Sequence, residues 1–80
     1  MPIAVVEADR NRVVGVLVAY LRGVVTTKAV YGAIYRSSFR NEALDAILVE
    51  AEAGAKNVGT SLKHELMVTL RAGLKDREFL

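Results

Sequence analysis

IAVVEADRNRVVGVLVAYL, residues 3–21, decides between an all-α chain and a mixed one. Its β-branched content favours strands: Ile3–Glu7 and Val13–Tyr20 would flank a turn at Asp9–Asn11, giving an α+β fold with an N-terminal β-hairpin. Its end points favour a helix. Asp9 is a residue type that caps helix N-termini, Gly23 is one that stops helices, and the apolar residues between them suit a helix buried nearly all round. Helical patterns follow it, so a helix from Asp9 through Leu21 is the preferred reading, with the hairpin as the alternative.

Downstream the periodicity is plainer. From Asn41 to Ala53, Ala43, Leu44, Ile47, Leu48 and Ala51 recur at three and four, while Glu42, Asp45, Glu50 and Glu52 take most of the remaining face. Ser37 and Ser38 are candidate N-caps, Glu42 suits the positive end of the helix dipole, and Gly54 is a natural stop. A last helix carries Leu62, Leu66, Leu70 and Leu74, with Met67 beside them; Thr60 or Ser61 would cap it after a loop at Ala55–Gly59. Thr26 or Thr27 would cap a shorter helix from Lys28 to about Arg36. The expected fold is all-α, a compact bundle of four or five short helices making one small domain over residues 1–80.

That length leaves a thin stability margin, because a domain this small buries only about 60–65% of its unfolded surface. There is no cysteine and a single histidine, His64, so neither a disulfide nor an ordinary structural zinc site is expected. Apolar residues form 52% of the chain, more than a core this small needs, which suggests that a partner covers part of them. The longest nearly apolar run, Val13–Leu21, is shorter than the roughly 20 residues a membrane span requires. No basic segment precedes an apolar one at the N-terminus, so no export signal is read and a cytoplasmic location is expected.

Charge is sorted along the chain. Residues 10–41 hold six bases and no acid, and residues 42–55 hold four acids and no base. Either the basic stretch neutralises the acidic helix of the same chain, or it faces an acidic partner.

No catalytic constellation emerges. His64 and Glu65 are neighbours and therefore about 100° apart on a helix, and Lys63-His64-Glu65-Leu66 lacks the second histidine of a zinc-protease helix. The serines sit where caps belong, and the glycines are too scattered to cradle a phosphate. The chain is read as non-enzymatic, with no cofactor and no metal.

Two binding roles remain. The first is a protein-interaction module that self-associates through helix faces. Gly32, flanked by Ala29 and Ala33, gives a flat strip where a helix can pack, and Leu74, Phe79 and Leu80 are spare apolar residues near the C-terminus. The alternative is a nucleic-acid-binding regulator. VAYLRGVVTTKAVYGAI, residues 18–34, resembles a helix-turn-helix, with Ala19 and Gly23 at the spacing of that motif's small helix residue and turn glycine. The resemblance covers about 20 residues of the wider 15–36 segment and implies that Arg22, Lys28, Tyr31, Tyr35, Arg36 and Arg40 contact phosphates and base edges. Ala29 and Gly32 depart from it, standing where the motif places branched apolar residues.

Overall fold

A computed structural model describes residues 3–37, 39 and 41–76. Within them the chain forms four helices, α1 (Ile3–Leu21), α2 (Thr27–Tyr35), α3 (Asn41–Gly54) and α4 (Thr60–Asp76), and no strand. Residues 3–21 are helical throughout, so the hairpin alternative falls. Val13, Leu17, Tyr20 and Leu21 recur at four, three and one, lie on one side of α1, and are almost fully buried. Against them pack Val30 and Ile34 of α2, Ile47, Leu48 and Ala51 of α3, and Met67 and Leu70 of α4. Each large apolar side chain so buried contributes roughly 1.5–3 kcal/mol, against a helix-propensity penalty below about 0.7 kcal/mol for valine. Burial therefore overrides the strand preference of the valines.

Asp9 is not the N-cap expected from the sequence. The helix begins at Ile3, and Asp9 lies inside it, pairing with Arg12 one turn on. No glycine or proline between residues 3 and 9 interrupts the helix. The expected stop at Gly23 is real. Gly23 has φ of +78°, its N–H donates to Tyr20 O (3.0 Å) and that of Val24 to Ala19 O (2.8 Å). These two bonds are the Schellman pattern, which requires a left-handed residue at this position. Thr26 caps α2, its hydroxyl accepting from the N–H of Ala29 at 3.4 Å.

Two other expected caps differ. The Ser37 hydroxyl donates to Ile34 O (2.6 Å) and accepts from the N–H of Phe39 (3.4 Å), closing α2 rather than opening α3; Ser38 lies outside the described residues. Thr60 and Ser61 are inside α4, and the Gly59 carbonyl accepts its first bond from the N–H of Lys63 (2.9 Å).

The leucine row of α4 also departs from expectation. Residues four apart drift by about 40° per step around a helix, so four in a row cannot share one face. Leu70 is buried, Leu66 and Leu74 are half-buried against the core, and Leu62 is 49% exposed. The core thus takes Leu74, which the sequence leaves as a spare apolar residue, and leaves Leu62 exposed.

Polar ties join the helices at the margins of this core. The Tyr20 hydroxyl donates to Leu66 O at 3.0 Å, linking α1 to α4, and the Lys63 ammonium donates to Glu52 O at 3.2 Å, linking α4 to α3. Arg10 of α1 pairs with Glu50 of α3. No buried polar side-chain atom is left without a partner among the described residues.

Gly73 is the helical glycine that a close approach explains. A β-carbon there would lie 1.7 Å from the Tyr31 hydroxyl oxygen and 2.6 Å from its ring Cζ. Tyr31 thus packs its tip onto the backbone of α4. Gly32 differs, since a β-carbon would make only ordinary contact, 3.9 Å, with the Arg36 guanidinium of its own helix.

Opposite signs follow for three alanine substitutions, each measurable by chemical denaturation. Gly23→Ala should destabilise by about 1–2 kcal/mol through its left-handed backbone. Gly32→Ala should stabilise by up to about 1 kcal/mol, the helix-propensity difference. Gly73→Ala should destabilise by about 1–3 kcal/mol through overpacking. In a Tyr31→Ala background Gly73→Ala should instead stabilise, because the obstructing ring is gone; a destabilisation of unchanged size there would refute the contact.

Candidate functional site

α1 presents different flanks to its neighbours. Arg10, about 200° around the helix from Arg12, reaches Glu50 on α3. Arg12 and Val16, four residues apart, lie on the other flank and border a groove of about 920 Å³ against α2. The α2 side is built from Lys28, Ala29, Gly32, Ala33 and Arg36, with Tyr31 at its edge.

The row Lys28–Gly32–Arg36 explains the shape. These residues are four apart and lie opposite Val30 and Ile34, two of the three buried residues of α2. Gly32 leaves a low floor beside Lys28 that the Arg36 side chain folds onto, and Ala29 keeps the floor low toward α1. The Arg36 guanidinium lies back along its own helix over Gly32. Arg12, Lys28 and Arg36 all border the groove, and among the described residues no carboxylate does. Arg12 is partly neutralised by Asp9; Lys28 and Arg36 make no ion pair with any described residue. Neutralisation between the basic stretch and the acidic helix is thus limited, among the described residues, to Arg10 and Glu50.

The groove joins residues that sequence reasoning had divided between two roles. Ala29, Gly32 and Ala33 were nominated for a protein partner, and Lys28, Tyr31 and Arg36 for nucleic acid. All six line the same concavity, although Ala33 is only 3% exposed and belongs to the core edge as much as to the surface. Arg12 and Val16 were not nominated because they come from a different helix. Their i, i+4 spacing on the flank away from Val13 and Leu17 was the available signal.

The remaining nominations scatter. Arg22 borders a second concavity of about 660 Å³, between the Gly23 turn and the loop before α4. Tyr35 is 66% exposed on α2, while Tyr31 is engaged with Gly73. The residues nominated for nucleic acid are thus spread over two concavities and the exposed side of α2. Leu74 is packed against the core. Arg40, Phe79 and Leu80 lie outside the described residues.

His64 is exposed on α4. Among the described residues no three histidine or carboxylate side chains come together where they could hold a metal ion, and no helix is long and apolar enough to cross a membrane. No family model, curated protein or solved structure matches this chain.

Proposed function

We propose that the protein is a non-enzymatic interaction module whose binding face is the α1–α2 groove, and that it accepts an acidic helical segment of a protein partner in the cytoplasm. The observation that carries this reading is the pairing of a low floor at Gly32 with the unneutralised cations Lys28 and Arg36. A helix needs small residues beneath it to approach closely, and glycine inside a helix costs stability of about 1 kcal/mol relative to alanine. Gly32 carries that cost with no fold contact that demands it. The cations then favour a partner of negative charge and steer its encounter. The cysteine-free chain suits a reducing compartment.

Nucleic acid is the competing ligand, since Lys28 and Arg36 would also attract phosphates. The geometry favours it less, because Tyr31 packs on α4 instead of projecting outward and Arg22 lies at another concavity.

Fluorescence anisotropy with a labelled acidic amphipathic peptide, alanine-rich on one face, tests the reading. Lys28→Glu with Arg36→Glu should weaken binding at least tenfold, equivalent to about 1.4 kcal/mol. Gly32→Leu should weaken it comparably with no change of charge, by filling the floor, while the fold stays intact by circular dichroism. Binding that survives Gly32→Leu would contradict a shaped groove. Duplex DNA and RNA serve as parallel probes. Binding to them that falls steeply with salt and ignores Gly32→Leu would favour the nucleic-acid role over this one.

A further inference from the structure

α3 has an outward face that matches the groove. Opposite Leu44, Ile47, Leu48 and Ala51, which are buried, it exposes Ala46, Val49 and Ala53, with Val49 59% exposed. Asp45 and Glu52, about 20° apart around the helix, form an acidic row along one edge of this strip. Neither makes an ion pair with a described residue.

The spacings agree. At about 1.5 Å of rise per residue, the backbones of Lys28 and Arg36 are roughly 12 Å apart along the α2 row and those of Asp45 and Glu52 roughly 10 Å apart along α3, and the Arg36 guanidinium folds back toward Lys28 over Gly32. Gly32 lies four residues into the first interval and Val49 four residues into the second. An acidic row edged by an apolar strip on α3 is thus matched by a basic row edged by the small residues Ala29 and Gly32 on α2. Within one chain they cannot meet, because α3 packs on the Arg10 flank of α1 and the groove opens on the Arg12 flank.

We infer that the groove's occupant is α3 of a second copy of this chain, its apolar strip at Val49 against the small residues Ala29 and Gly32 and its acidic row, Asp45 and Glu52, against Lys28 and Arg36, with the Arg36 side chain turning off Gly32 to meet it. This rests on the groove reading above and names its partner. Because the complementary faces lie on opposite flanks of α1, the contact is head-to-tail rather than two-fold. It adds copies into open chains, or into a ring where the rotation closes. Surface ion pairs contribute only about 0–1 kcal/mol each, so the association is weak and salt-sensitive.

Sedimentation equilibrium of the full chain over a wide concentration range tests this. The average mass should climb past that of two 8.7 kDa chains without a plateau at the dimer, and should fall as salt is raised. A groove variant, Lys28→Glu with Arg36→Glu, and a face variant, Asp45→Asn with Val49→Ser and Glu52→Gln, should each be monomeric alone. Mixed in equal amounts they should form a dimer and nothing larger, since each supplies the one face the other lacks. That recovery also shows both variants to be folded. A wild-type chain that stays monomeric at high concentration and low salt overturns the inference, as does a mixture that stays monomeric or an assembly that both variants leave intact. If the wild type is monomeric yet binds the acidic peptide in a Gly32-dependent way, the groove reading stands and only its occupant is wrong. If it binds neither, both fall.

Discussion

Burial of the α1 stripe, Val13, Leu17, Tyr20 and Leu21, is the constraint on which the other features rest. α2 and α3 each use an apolar face against it, and α4 closes the remaining side with Met67 and Leu70. An 80-residue chain without disulfides has little stability beyond what one such core supplies. Val14, Val16 and Val18 of α1, which fall outside the stripe, are packed against its margins. This is why a segment with the composition of a strand is held as a helix.

Placing α1 at the centre also separates charge. The acidic helix α3 occupies one flank, where Glu50 takes Arg10, and the other flank opens between α1 and α2 with Arg12, Lys28 and Arg36 around it. The modest net charge of +2 therefore conceals a molecule with opposite signs on opposite sides. Such a distribution favours oriented encounters, whether with a foreign acidic helix or with another copy. In the proposed role, the small residues Ala29 and Gly32 would give the encounter a seat that charge alone lacks.

Much of the fold was legible in the sequence because α3 and α4 are amphipathic and glycines mark the stops after α1 and α3. The start of α1 was not legible, since an aspartate that caps a helix and one that pairs with i+3 on its surface look alike in sequence. The row Leu62, Leu66, Leu70, Leu74 misled for a geometric reason, its drift around α4. Half of the groove could be read, because Lys28, Ala29, Gly32 and Arg36 are close in sequence. Arg12 and Val16 join them only through the packing of two helices. That Gly73 serves Tyr31, and Gly32 serves no fold contact, is likewise visible only in three dimensions.

Backbone amide NMR spectra recorded from dilute to concentrated protein probe the central claim, that the α1–α2 groove is the surface this molecule uses. Shifts that grow with concentration should cluster at residues 12, 16, 28, 29, 32 and 36 and, separately, at residues 45–53, while the buried stripe of α1 stays unchanged. Concentration-dependent shifts confined to α4, or spread evenly over the surface, would contradict the account.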